Sequence, residues 1–63
     1  MKFRTGGLVA TIDRYGFIRV GNAGFHYESA ANHVKLAVKQ AIEANLNHPD
    51  ADRIINVIKR TEK

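Results

Sequence analysis

The chain has 63 residues, ten Lys/Arg against six Asp/Glu, a formal net charge of +4 and no cysteine. Without cysteine it can form neither disulfides nor thiolate metal sites, and no stretch approaches the roughly 20 apolar residues of a membrane span. We therefore expect a single domain over residues 1–63, near the lower size limit for unaided folding, in the reducing cytoplasm. The basic charge favours acidic partners.

Alternating apolar residues predict an antiparallel β-meander in the first half of the chain. Asp13 and Gly16 suit the first and last positions of a tight turn. Gly6 and Gly7 can form a kink or bulge through which residues 2–5 lengthen the first strand. The predicted segments, in chain order, are a strand at 8–12, a turn at 13–16, a strand at 17–20, a turn at 21–24 and a short strand at 25–27.

A long amphipathic helix is predicted after the meander. Ser29 is a good N-cap, and apolar residues recur at helical spacing from Ala30 to Leu46. Asn45, Asn47 and Pro49 end the helix. Its apolar stripe is expected to pack on one face of the sheet, with Leu8, Ala10, Ile12, Ile18 and Val20 facing it.

The tail, residues 52–60, fits two structures. Four of the five residues from Ile54 to Ile58 are β-branched, which favours a strand. Acids at the start of the segment, Lys59 and Arg60 at its end, and an apolar stripe at helical spacing favour a helix. We predict an α+β fold with a small three- or four-stranded, mainly antiparallel sheet and one long helix on one face. The preferred order is βββαβ, with the last strand beside the first, and the alternative is βββαα.

The polar residues form no pattern typical of catalysis. Asp13 falls in a turn and Glu43 on the polar face of the helix, so paired carboxylates in a sheltered pocket are not predicted. The predicted strands carry no acids for a metal site, and the glycines match neither dinucleotide nor phosphate loops. The histidines are scattered along the chain, at His26, His33 and His48. We therefore expect a protein that is not an enzyme and holds no cofactor or metal.

Two surfaces are candidate binding sites. The sheet face turned away from the helix is predicted to present Val9, Thr11, Phe17, Arg19 and His26. On the helix, Leu36 lies nearly opposite the apolar stripe, between Lys35 and Lys39, and this arrangement suits an acidic groove. The predicted partner-binding residues are thus Phe17, Arg19, His26, Lys35, Leu36 and Lys39.

These surfaces support two functional hypotheses. The first is a small binding or regulatory protein that docks on a protein partner, with a homodimer as one option. Phages, plasmids and toxin–antitoxin loci encode inhibitors of this size and composition. The second is nucleic-acid binding through the basic hairpin and helix residues, Arg14, Tyr15, Arg19, Lys35 and Lys39. The first predicts a complex that resists moderate salt, and the second an affinity that falls steeply with salt.

Overall fold

The computed structural model describes residues 1–62, which form a four-stranded antiparallel meander followed by two α-helices. The strands lie in the order β1-β2-β3-β4. The elements are β1 (Lys2–Thr5), β2 (Leu8–Ile12), β3 (Phe17–Val20), β4 (Ala23–His26), a 3-10 turn (Tyr27–Ser29), α1 (Asn32–Ala44) and α2 (Ala51–Thr61). The predicted α+β fold with an antiparallel meander is confirmed.

β1 is a separate strand, so the predicted kink at Gly6 and Gly7 is wrong. Thr5 pairs with Leu8, which leaves the two glycines as a two-residue hairpin loop. Their φ angles are +57° and +80°. Positive φ at both central positions is the type I′ geometry that matches the twist of paired strands, and glycine adopts it without a Cβ clash. The chain therefore reverses here, and β1 becomes an edge strand beside β2.

The first helix begins later than the sequence indicates. Ser29 lies in the 3-10 turn and does not cap α1, whose N-cap is Ala31, with no side-chain hydrogen bond. β4 ends at His26, one residue before the predicted end. Leu46 lies beyond the last turn of α1 and is 63% exposed, so it is not part of the buried stripe.

The tail is the helix α2, so the alternative with a helical tail is confirmed and the preferred last strand is wrong. Ala51, Ile54 and Val57 are buried on one face of α2. Full burial of a large aliphatic side chain contributes about 1.5–3 kcal/mol, whereas β-propensities differ by only about 1 kcal/mol. The amphipathic stripe therefore outweighs the β-branched composition. No strand in the described part of the chain lies on the free side of β1.

The hydrophobic core lies between the helices and one face of the sheet. The sheet contributes Phe3, Ala10, Ile12 and Ile18, and the helices contribute Val34, Val38, Ile42, Ile54 and Val57. Of the residues predicted to face the helix, Val20 is half-buried. Leu8 remains exposed because it follows the hairpin turn at the margin of the sheet.

The β2–β3 turn touches α2 at Gly16. This residue is buried, with φ of +87°, and a Cβ placed there would lie 2.6 Å from Cγ1 of Val57. The Gly16 carbonyl also accepts a hydrogen bond from the Tyr27 N–H at 2.8 Å. The absence of a side chain at residue 16 therefore allows the hairpin and α2 to pack closely.

We predict that Gly16→Ala destabilises the protein more than Gly21→Ala does. Both positions have positive φ, for which a non-glycine residue costs of order 1–3 kcal/mol. A Cβ at Gly21 meets open space, whereas one at Gly16 meets Val57. Urea unfolding of the two variants measures the difference in free energy of unfolding. Val57→Ala should recover part of the extra loss in the Gly16→Ala background, and equal losses at the two glycines would contradict the proposed contact.

Candidate functional site

The sheet face opposite the helices is the candidate functional site. Side chains alternate between the two faces of a strand, so the residues between the buried positions point away from the core. We call this surface the open face. It consists of Lys2, Arg4, Val9, Thr11, Phe17, Arg19 and Gly24, all of which are exposed.

Strand register places three cations of the open face close together. Lys2 pairs with Thr11, Thr11 with Arg19, and Arg19 with Gly24, so these four residues form one row across the sheet. Lys2 and Arg19 are two strands apart, which corresponds to roughly 10 Å between their backbones. Arg4 lies two residues further along β1, where it pairs with Val9.

The Phe17 ring rests on the sheet at Gly24. A Cβ on Gly24 would lie 3.0 Å from Cε2 and 3.1 Å from Cζ of Phe17. The ring therefore covers the space that any larger residue at position 24 would fill. Phe17 nevertheless remains 43% exposed, so the open face presents an aromatic surface beside the row of cations.

A hollow of about 390 Å³ lies next to the ring. Phe17, Arg19 and Thr11 line it on the sheet side, and Asp13 and Asp50 also contribute to its wall. Met1 and Ile12 complete the lining, so the hollow is formed by an aromatic residue, an arginine, a threonine, two acids and two aliphatic residues. Such a mixture of apolar and hydrogen-bonding groups is typical of small concave sites.

The β2–β3 turn extends the basic surface at one end. Asp13 Oδ1 accepts hydrogen bonds from the N–H groups of Tyr15 and Phe17, both at 2.9 Å, and so organises the turn. The Arg14 guanidinium carbon lies 5.3 Å from the centre of the Tyr15 ring. Both side chains are exposed, as the sequence predicts for a hairpin tip.

His26, a predicted partner-binding residue, is engaged in the fold. Its Nε2 lies 2.9 Å from the Tyr15 carbonyl oxygen, and its Nδ1 lies 3.1 Å from the Glu28 nitrogen. A carbonyl only accepts and an amide N–H only donates, so these partners select the tautomer with its proton on Nε2. Both ring nitrogens are thus used to join the hairpin turn to the 3-10 turn.

The predicted helix surface is separate from the open face and partly neutralised. Leu36 is 56% exposed. Lys35 Nζ lies 5.5 Å from the centre of the Tyr27 ring, and Lys39 Nζ donates to Glu62 Oε2 at 2.8 Å. The structure therefore divides the six predicted partner-binding residues between two sides of the molecule, and the Lys39 charge is paired.

Glu62 connects the end of α2 to the core. Its carboxylate accepts hydrogen bonds from the buried Tyr27 hydroxyl and from Lys39. The bonds from Lys39 and Tyr27 hold the pKa of the Glu62 carboxyl below its usual value. Burial, followed by the Glu62 hydrogen bond and charge, raises the pKa of Tyr27 well above its usual value. The Glu62 carboxylate therefore links α2 to Tyr27 of the 3-10 turn and to Lys39 of α1. We call these contacts the Glu62 clasp.

Formal charge is unevenly divided between the sheet and the helices. Residues 1–26 contain four Lys/Arg and one acid, whereas residues 27–63 contain six Lys/Arg and five acids. Three of the four cations of the sheet half, Lys2, Arg4 and Arg19, lie on the open face. In the sequence, Lys2 and Arg4 were interpreted as solvated charge and not as site residues, and the pairing of β1 with β2 that brings them beside Arg19 was not predicted. The charge imbalance was a signal in the sequence that could have found them.

Within residues 1–62, no three His, Asp or Glu side chains are grouped so that they could hold a metal ion. Neither of the two described α-helices is long and apolar enough to cross a membrane. Comparisons with protein-family models, curated proteins and solved structures find no match to this chain. Function must therefore be argued from the open face itself.

We predict that the Glu62 clasp stabilises the protein at neutral pH and less so in acid. The folded-state pKa of Glu62 is lowered, so its contribution is present above the unfolded-state pKa and is lost as pH falls through the folded-state pKa. Thermal unfolding midpoints of the wild type and Glu62→Gln should converge from pH 7 to pH 3. Lys39→Gln should add little in the Glu62→Gln background. A gap between the midpoints that is constant with pH would contradict this role.

Proposed function

We propose that this protein is a non-catalytic nucleic-acid-binding protein that contacts the nucleic acid with its open face. The observation that carries the proposal is the segregation of charge. Lys2, Arg4 and Arg19 share one uncovered sheet face, while five of the six acids belong to residues 27–63. A positively charged surface attracts a polyanion. Because phosphates neutralised by the protein release their counterions, association is favoured further.

The side chains on this face suit phosphate groups. Arginine presents a planar set of donors that can bind phosphate in a bidentate manner, and lysine adds a mobile point charge. Arg4 and Arg19 belong to two different strands of the sheet, and Arg14 is a further exposed cation at the hairpin tip. A backbone of regularly spaced phosphates can therefore contact several cations at once.

Two features support a binding role without catalysis. Both ring nitrogens of His26 are occupied by backbone groups, and Asp13 holds the backbone of its own turn. These hydrogen bonds give both side chains a structural role in the scaffold, which supports the proposal of a binding protein. We place this activity in the cytoplasm, since a chain without cysteine is well suited to a reducing compartment.

We predict that Arg4→Gln and Arg19→Gln each weaken binding to a fluorescently labelled 20-nucleotide oligonucleotide. Each lost phosphate contact should also reduce the slope of log affinity against log salt by about 1. Fluorescence anisotropy over a salt series measures both effects. Arg53→Gln is the matched control, since it removes the same charge from an exposed position on α2. An equal loss in all three variants would show that only net charge matters, and no binding at low salt would disprove the proposal.

A second candidate is docking on an acidic protein surface, through the same face. The exposed apolar residues Val9 (57%) and Phe17 (43%) favour it, since such a patch can be buried against a protein. This retains the protein-partner hypothesis made from the sequence. A homodimer through the open face is disfavoured, because it would bring Lys2, Arg4 and Arg19 of two copies together.

We predict that, at every salt concentration, the protein binds poly-glutamate more weakly than it binds an oligonucleotide of the same charge. A carboxylate polymer offers negative charge without phosphate geometry or bases, so it tests what an acidic protein surface could supply. Competition against the labelled oligonucleotide measures the ratio of the two affinities. Equal affinity, with equal sensitivity to Arg19→Gln, would favour the acidic-protein candidate instead.

A further inference from the structure

We infer that the open face takes a single-stranded nucleic acid, one base of which stacks on Phe17 beside the hollow formed with Thr11 and Arg19. This inference rests on the proposed function and specifies its ligand. It depends on three observations, which are the position of the Phe17 ring, the composition of the hollow, and the cations that border it.

The ring is held where a base can reach it. Gly24 leaves room for Phe17 to lie on β4, since even a methyl group at residue 24 would be only 3.0 Å from the ring. The ring is supported by the sheet on one side and is still 43% exposed. Aromatic residues on open sheets stack unpaired bases, and such stacking tolerates any sequence because every base has a π face.

The hollow favours a base over a phosphate. The acidic residues Asp13 and Asp50 line the hollow together with Met1. Their negative charge disfavours a phosphate there, whereas the amino and imino groups of a base can donate hydrogen bonds to a carboxylate. Thr11 and Arg19 line the same hollow and can donate to base oxygens and ring nitrogens. Its volume of about 390 Å³ lies within the usual range of small-molecule sites.

The cations of the open face indicate where the phosphate backbone of the nucleic acid would lie. Arg19 borders the hollow, and Lys2 lies in the same row two strands away, with Arg4 further along β1. A strand whose base enters the hollow can thus extend its phosphates over β2 and β1. In a duplex the bases are paired and stacked inside, so the same base would first have to be unstacked. Binding a single strand in this arrangement therefore costs less free energy than binding a duplex.

The test compares three ligands that differ in their bases but not in the chemistry of their phosphates. They are a 12-nucleotide single strand, the same strand with abasic sites throughout its central half, and the duplex of the same sequence. The wild type should bind the base-bearing strand about tenfold more tightly than either of the others. Fluorescence anisotropy at one fixed salt concentration measures the three affinities.

Variants test whether the preference for the base-bearing strand depends on the Phe17 ring. Phe17→Leu keeps an apolar side chain and should reduce affinity for the base-bearing strand to the abasic level, with the abasic affinity unchanged. Gly24→Val places a Cβ 3.0 Å from the ring and adds two methyl groups beyond it, so it should displace the ring without removing it and reduce the preference as well. Phe25→Leu is the matched control, because it removes a half-buried aromatic ring from the opposite face of the sheet. Thermal unfolding confirms that each variant is folded.

The outcomes separate the two proposals. If no ligand binds at low salt, nucleic-acid binding itself is disproved. If all three ligands bind equally, or the duplex binds best, the polyanion proposal stands and stacking on Phe17 is wrong. If Phe17→Leu does not fold, Gly24→Val decides, and an unchanged preference for the base-bearing strand in that variant overturns the inference.

Discussion

The two helices, α1 and α2, pack against one of the two faces of the sheet. The inward residues of the strands, among them Phe3, Ile12 and Ile18, are buried against α1 and α2. The helices contain 13 and 11 residues, which corresponds to lengths of about 20 and 17 Å, enough for one layer. The outward residues of the described strands therefore face solvent or a partner. Every feature of the candidate site follows from this one-sided burial.

On the covered side, the hairpin, the 3-10 turn and the two helices are connected by a few individual contacts. Gly16 lets the β2–β3 hairpin approach Val57 of α2, and His26 ties the same hairpin to the 3-10 turn. At the far end of α2, Glu62 connects Tyr27 to Lys39 of α1. These contacts use polar and titratable groups to assemble the scaffold.

The uncovered side combines two kinds of information. In the function we propose, its cations, Lys2, Arg4 and Arg19, act over a distance and select for the sign of the ligand's charge. In the same proposal, the Phe17 ring and the adjoining hollow act at contact and select for shape and hydrogen bonding. A role assigned to this molecule thus depends on the side chains of one face and not on its fold class.

Local periodicity determined much of this structure by itself. Strands β2 and β3, the turn at residues 13–16, the amphipathic character of α1, and the outward positions of Phe17 and Arg19 were predicted, because each depends on neighbours within a few residues. Only the tertiary structure decided that β1 pairs with β2, that the tail is a helix and not a strand, and that both ring nitrogens of His26 are hydrogen-bonded to the backbone. In each of these cases the deciding contact joins distant segments: a strand pairing, burial against a sheet, or a hydrogen bond across 11 residues. The tail carries local signals for both a helix and a strand, and the choice between them rests on burial against the sheet, because burial and pairing are properties of the assembled chain.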